Sequence, residues 1–490
     1  MELSKPPDIF SRDPEWSELS TFATSESLGA TLAVLYGRRR QGKTLLLEDL
    51  VEAVDGFMFT GLEQSSTQNL AAMSNAYASF TGISAPVSFT DWIQVVDALL
   101  ALGEGEQPKL VVIDELPYIL RTAPELNSVL QNALSPRGRA RQHSRTRLVL
   151  CGSAFSVMRN LLSGAAALRG RAVREMVVRP FDYREAAAFW HVGHDLELAL
   201  TLNALVGGTP AYRDFCDGDE PQSTAELSGW VTRNLLNPSS SFFREGRVLL
   251  AEEPDIAELS LYFSVLSAIA SGKTRRGQIA AALGRKETAL AHPLAVLEET
   301  QLVVNVKDAL RANRGTFKIA EPMLRFHQSV IVPNEPRLRR RFGAVIWHEI
   351  ADTVSANIYG PHFEDVARQW TLEFADEITL GGRASRVAPT TVGCKQHQIE
   401  HELDIVAVER VPNQPDHLLA IGEAKWTSEP IGIAQLERLR HIRDLLAHGA
   451  DSTVRLLLFS RLGFSKGLRD EASRSNDVVL VDLERLYLGE

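Results

Sequence analysis

The chain has 490 residues, 44% hydrophobic and 23% charged, with a formal net charge of −10. Such a composition belongs to globular protein too long for one core, so three or four domains are predicted; the charge excludes a uniformly basic nucleic-acid coat but leaves room for a local patch. No apolar run approaches the ~20 residues of a membrane span, residues 1–7 hold no apolar signal segment, and three scattered cysteines (Cys151, Cys216, Cys394) suit a reducing compartment, so a cytoplasmic protein without membrane contact or disulfides is expected.

The first strong element is a buried strand at 32–36, followed by a helix from 45 onward. Between them Gly37-Arg38-Arg39-Arg40-Gln41-Gly42-Lys43-Thr44 fits G-x-x-x-x-G-K-[ST]. The glycines let backbone N–H groups turn toward phosphate oxygens, and the helix N-terminus adds partial positive charge. Gly37, Gln41, Gly42, Lys43 and Thr44 are therefore the candidate ATP contacts, with Lys43 on the β- and γ-phosphates and the Thr44 hydroxyl on Mg2+. Arg38, Arg39 and Arg40 exceed what the phosphates need. They are read as facing outward, pairing with acids of a lid, a C-terminal domain or a neighbouring subunit.

A second strand, 110–113, ends in Asp114 and Glu115. Asp114 at a strand's C-terminal edge would hold Mg2+, and Glu115 would orient or deprotonate the attacking water. A third strand, 147–153, ends in Ser153, a candidate γ-phosphate sensor.

The segments "YGRRRQGKT", "VVIDELPYIL", "LVLCGSAFSVM", "GRAVREMVVRPF" and "GGTPAYRDF" make residues 10 to about 330 resemble the archaeal-type branch of P-loop ATPases related to AAA+ and STAND proteins. The resemblance implies an ATP-hydrolysing switch. It also implies an arginine after the sensor strand that stabilises transition-state charge in cis or from a neighbouring subunit; Arg171 fits best, with Arg169 a rival. Gly207-Gly208-Thr209-Pro210 matches the lid-domain turn, whereas the usual F-x-G-R entry is here Phe10-Ser11-Arg12-Asp13. Arginines also cluster at 137–147, 169–179 and 337–341, where they meet phosphate or solvate loops.

Residues 255–320 show three short helical patterns and then two alternating strands, the order of a winged helix. Lys273, Arg275, Arg276, Arg285 and Lys286 crowd the ends of its second helix, as a DNA-binding module would require, the alternative being a protein-interaction or autoinhibitory module. Pro293, inside the predicted third helix, should kink it.

The C-terminal region carries a different constellation. Glu364 lies on a helix with Phe363, Val366, Ala367 and Trp370; Asp404 ends an alternating run; Glu423 and Lys425 leave one face of the next strand; Gln435 opens a helix. Acids and a lysine converging this way bind divalent ions and activate water against a phosphodiester. The order Glu364, Asp404, Glu423-x-Lys425, Gln435 resembles the PD-(D/E)XK nuclease superfamily over residues 345–485. Cys394, His397 and His401 invite a zinc reading, but their spacing lacks a fourth ligand and no zinc is expected.

The predicted fold class is α/β: a P-loop NTPase parallel sheet at 1–180, a helical lid at 181–250, a winged helix at 251–335, and a restriction-endonuclease-like α/β domain at 336–490. The predicted function is an ATP-binding and hydrolysing switch coupled to a metal-dependent DNA nuclease, with Glu364, Asp404 and Glu423 on metal and Asp404, Glu423 and Lys425 catalytic. Cofactors are ATP and Mg2+, with Mn2+ an alternative at the nuclease site; partners are DNA and a second copy of the chain. The rival function is a non-catalytic STAND-type regulator whose C-terminal domain only binds DNA or protein.

Overall fold

The computed structural model describes residues 3–489 apart from 84, 164–166, 257, 312, 395–397, 411, 414–415 and 447–452, with backbone alone at 139–140. Contacts divide the chain into two compact units. The first is Met1–Pro180 with two short returns, Thr209–Ala211 and Ala251–Ala257; the second is Phe181–Gly208, Tyr212–Leu250 and Glu258–Glu490.

In the first unit β1 (Thr31–Tyr36), β2 (Phe57–Thr60), β3 (Lys109–Asp114), β4 (Thr146–Gly152) and β5 (Ala172–Val177) form a parallel sheet in the order β2-β3-β4-β1-β5. Side chains alternate across a strand, so Leu32, Val34 and Tyr36 enter one core with Trp92 and Leu116, while Ala33 and Leu35 enter another with Trp16 and Leu47. A sheet covered on both faces needs apolar residues along the middle of each strand, which is why residues 32–36, 110–113 and 148–151 of β1, β3 and β4 read as apolar runs. The order places β4 between the strand that feeds the phosphate loop and the strand that ends in Asp114.

The arginines at 141–147 turn inward. Arg147 is fully buried and donates to the carbonyls of Ser25 and Gly29, and Arg141 donates to that of Ala30. Those at 337–341 are held on the surface by Glu349, Glu335 and Asn237. Both sets brace the chain, each consuming guanidinium donors that a phosphate would otherwise need.

The second unit does not separate at the predicted boundaries. One apolar core runs through the helices Tyr183–Phe189, Leu196–Val206 and Thr224–Asn234, the helix Gly360–Gln369, and a five-stranded sheet. That sheet has the order β12-β11-β10-β9-β8, from β8 (Arg386–Cys394), β9 (Ile399–Glu409), β10 (His417–Lys425), β11 (Arg455–Ser460) and β12 (Val478–Val481). β8, β9 and β10 are antiparallel; β10, β11 and β12 are parallel. Residues 181–250, expected as a lid to the nucleotide sheet, thus share a core with the C-terminal sheet. The Tyr183 hydroxyl donates to the Leu486 carbonyl at 2.7 Å, and the Arg184 guanidinium lies 3.9 Å from the centre of the Phe374 ring.

Within this unit the helices Leu259–Ala270, Arg276–Ala282 and Ala291–Glu299 precede a hairpin of β6 (Val303–Lys307) and β7 (Gly315–Ile319). Pro293 kinks nothing. The α-helix begins at Ala291, after a short 3-10 turn at Glu287–Leu290, so Pro293 sits in the first turn where backbone N–H groups have no intrahelical acceptor.

Among the described residues no helix is long and apolar enough to cross a membrane. Phe363 is fully buried in the shared core, with its ring centre 5.5 Å from that of Trp426. Phe363→Ala should destabilise the second unit by about 3–5 kcal/mol, seen as an earlier denaturation transition in tryptophan fluorescence, with ATP binding by the first unit retained.

Candidate functional site

The phosphate loop leaves β1 at Gly37 and enters the helix Lys43–Ala53 at Gly42. Gly42 has φ +81°, in the left-handed region, and a Cβ on Gly37 would fall 2.3 Å from the Val178 carbonyl oxygen. Both positions therefore demand glycine. Lys43 is 5% exposed; its ammonium donates to the carbonyls of Gly37 (2.9 Å) and Arg38 (2.8 Å), and burial pulls its pKa down from the usual lysine value. Arg12, 8% exposed, donates to the Gln41 carbonyl at 3.2 Å. The entry motif that departs from F-x-G-R thus still braces the loop from behind.

Across the sheet, the Thr44 hydroxyl donates to Asp114 Oδ2 at 2.8 Å, although β4 separates β1 from β3. A hydroxyl and a carboxylate oxygen side by side at the phosphate loop fit the ligand set of Mg2+, a hard cation that prefers oxygen. Asp114 Oδ1 accepts the Glu115 N–H at 2.8 Å, and Glu115 sits at φ 49°, a strained conformation for a non-glycine residue. Ser153, at the end of β4, donates to the Glu115 carboxylate at 2.7 Å. The sequence casts Ser153 as a phosphate sensor; the structure shows it orienting Glu115. Cys151 is fully buried beside Asp114, and burial pushes its thiol well above the ordinary range, so it remains a neutral filler.

The loop arginines do not face outward. Arg38 is 9% exposed. Arg39 bonds Ser153 Oγ at 3.3 Å, the Tyr118 hydroxyl, and Glu252 at 3.2 Å; Arg40 reaches Glu252 at 3.6 Å. Gln41 donates to the Thr209 hydroxyl at 3.1 Å. Tyr118 and Glu252 escaped sequence reasoning because nothing local marks them.

Arg171 is not brought to this site. It precedes Ala172, which pairs with Leu32 at the sheet edge opposite the phosphate loop, and its guanidinium donates to the Leu134 carbonyl at 3.4 Å. The parallel direction of β5 dictates this. An arginine contribution within one chain must come from elsewhere, and Arg39 is already beside Glu115 and Ser153.

The second cluster lies in the second unit. Asp404 on β9 and Glu423 on β10 are joined by Lys425, whose ammonium is 3.9 Å from Asp404 Oδ2 and 3.5 Å from Glu423 Oε2. Asp404 Oδ2 accepts the Ala424 N–H at 3.0 Å. Glu364, on the helix Gly360–Gln369, has its pKa raised to about 6 by burial and by the charge of Asp404. Glu364 and Asp404 line a cleft of about 480 Å3 whose other wall includes Arg275, Gln278 and Arg314 of the helix-and-hairpin module. Glu423 is 1% exposed and ion-paired with Arg438, a residue the sequence did not single out. Gln435 lies in the first turn of the same helix, Ile433–Leu446. Oxygen donors alone suit Mg2+ or Mn2+. Asp404 and Glu364 offer such oxygens to the cleft, whereas Glu423 is taken by Arg438.

Beside this cluster Asp365 is half-buried among Lys318, Arg325 and Arg368, whose charges hold its pKa far below the carboxylate range. His362 extends the network, its Nδ1 3.2 Å from Arg325 and its Nε2 2.8 Å from Asn203 Oδ1. His397 lies outside the described residues, while Cys394 and His401 come together with His441.

Residues 9–211 match the model of an ATPase domain found predominantly in Archaea. No curated protein matches the chain. Among solved structures, a Walker-type ATPase of Pyrococcus abyssi is 21% identical, over 67% of this chain and 99% of that one, with a TM-score of 0.47. The ORC2 protein of Aeropyrum pernix, in complexes with ADPNP and ADP, is 18% identical over 72% and 98%, with a TM-score of 0.44. Cdc6p from Pyrobaculum aerophilum is 16% identical over 68% and 96%, with a TM-score of 0.34.

Glu115→Gln keeps the hydrogen bond from Ser153 but removes the basic charge, so ATP turnover should fall at least ~100-fold while nucleotide affinity changes little, measured by phosphate release and equilibrium binding. Glu364 gives a pH signature. Its folded pKa is raised, so the protonated form is favoured in the fold and ionisation destabilises the protein as pH rises from about 4.5 to about 6. Glu364→Gln should therefore raise the unfolding free energy at pH 8, by no more than about 1 kcal/mol because the group is partly exposed, and leave it unchanged at pH 4, measured by denaturant titration at the two pH values.

Proposed function

We propose that the chain is an ATP-hydrolysing switch coupled to a metal-dependent DNA nuclease. In this reading Gly37, Gln41, Gly42 and Lys43 hold the phosphates. Thr44 and Asp114 hold Mg2+, which when bound neutralises charge on the β- and γ-phosphates. Glu115, oriented by Ser153, takes the proton of the attacking water. Arg171 acts from a neighbouring copy of the chain.

The observation that carries the switch is the grip of the phosphate loop on two returning segments. Arg39 and Arg40 hold Glu252, and Gln41 holds Thr209. Glu252 directly follows the helix Phe242–Ala251, and Thr209 lies three residues beyond Leu196–Val206. An incoming triphosphate competes for Arg39, Arg40 and Gln41, so occupancy of the loop changes the tension on chain segments continuous with the second unit.

The nuclease reading is supported by the shared cleft. Arg275 and Arg314 would meet the phosphate backbone of DNA, and Glu364 and Asp404 on the opposite wall would bind the divalent ion that activates water there. Lys425, within 3.9 Å of Asp404, would position that water. One observation favours the rival reading of a non-catalytic regulator: Glu423 is neutralised by Arg438 and Lys425 of the same chain.

The two readings separate in one assay. Purified protein is incubated with linear, circular and single-stranded DNA, with Mg2+ or Mn2+, with and without ATP. Metal-dependent cutting that drops at least ~100-fold in Asp404→Ala and Lys425→Ala, with ATP turnover unchanged, is the expected result. No cutting under any condition, or equal cutting by the variants, would leave the ATP-gated regulator.

A further inference from the structure

Cys394 ends β8, His401 lies near the start of β9, and His441 lies on the helix Ile433–Leu446. Pairing within the β8–β9 hairpin sets Cys394 opposite Ile399 and Val392 opposite His401, so Cys394 and His401 are diagonal neighbours on one face. Val392 and Leu403 on that face share a core with Leu436, Leu439 and Ile442 of the helix, which brings His441 over the pair. One ligand atom from each of the three residues lies within 4.8 Å of the others. Cys394 Sγ is 3.7 Å from His441 Nε2, and the two imidazoles meet edge to face with ring centres 5.5 Å apart. Cys394 is 2% exposed and His401 9%.

We propose that Cys394, His401 and His441 form a zinc site, with water as the fourth ligand. A tetrahedral zinc with bonds of about 2.3 Å to sulfur and 2.0–2.1 Å to nitrogen separates those atoms by ~3.6 Å, close to the separation found here. The donor set decides the metal: one thiolate and two imidazoles favour Zn2+ over Mg2+ and Mn2+, which seek oxygen. The site is distinct from the carboxylate cluster and does not rest on the nuclease reading. The sequence offered Cys394 and His401 but not His441, which follows His401 by 40 positions and is delivered by helix packing. Zinc here would clamp the helix to the hairpin end, and the same helix carries Arg438, one turn before His441, against Glu423.

The test uses the full chain purified without chelator or affinity-tag metal. Elemental analysis should find one zinc per chain that resists dialysis, and Co2+ added after zinc removal should give the visible absorption of a tetrahedral cobalt–thiolate centre. Cys394→Ser and His441→Gln should each weaken Zn2+ binding at least ~100-fold, while Cys216→Ala retains it. Far-ultraviolet circular dichroism and the unfolding transition in tryptophan fluorescence report whether the variants remain folded. The wild-type cobalt spectrum needs no variant, so it decides the matter if either variant unfolds. Absence of zinc together with absence of a cobalt–thiolate spectrum in the wild type would overturn the site, as would unchanged Zn2+ affinity in both folded variants.

Discussion

The hydrogen bond from Thr44 to Asp114 links the phosphate loop to the strand that carries the acidic pair, past an intervening strand. It depends on an unbroken parallel sheet, because only in-register parallel strands bring the ends of β1, β3 and β4 to one edge. Once that edge exists, Glu115 is lifted into a strained conformation, Ser153 meets it from β4, and Arg39 closes the circle through Tyr118. The chemistry is therefore a property of the sheet edge. No single segment contains it.

The second unit depends on a different constraint, the burial of charge. Asp365 is surrounded by Lys318, Arg325 and Arg368, drawn from β7 and two helices. Desolvation alone would drive a carboxyl toward the neutral form, and the three cations reverse it. Loss of Asp365 would take from the buried Arg325 its acid partner on the helix Gly360–Gln369, which is the costly way to break such a set. The network ties the helix-and-hairpin module to the helix that bears Glu364, so the cleft has two walls with a common foundation.

The carboxylate cluster itself is half open. Asp404 and Glu364 reach the cleft, whereas Glu423 is buried under Arg438. A charge held in low dielectric by an opposite charge is released only when a stronger competitor arrives or the helix carrying Arg438 moves. That helix also bears His441, so whatever clamps it bears on Glu423.

The sequence by itself determined the parts whose chemistry is local. A fully buried parallel strand must be apolar throughout, and a phosphate loop must place glycines, lysine and threonine at set intervals; β1, β3, β4 and the residues from Gly37 to Thr44 were legible for those reasons. The three helices and hairpin at 259–319 are legible through their periodicity, but the start of the third helix at Ala291, which makes Pro293 harmless, carries no local signal. β5 was missed, since Arg174 and Glu175 at a sheet edge break the apolar pattern, and with it the direction of the chain that carries Arg171 away from the site. Only the tertiary structure decided that residues 181–250 share a core with the C-terminal sheet, that Arg39 and Arg40 turn in to Glu252, that Arg438 covers Glu423, and that His441 joins Cys394 and His401. Each of these is a pairing between residues distant in sequence, and such pairings are set by the packing of apolar faces, which no local spacing records.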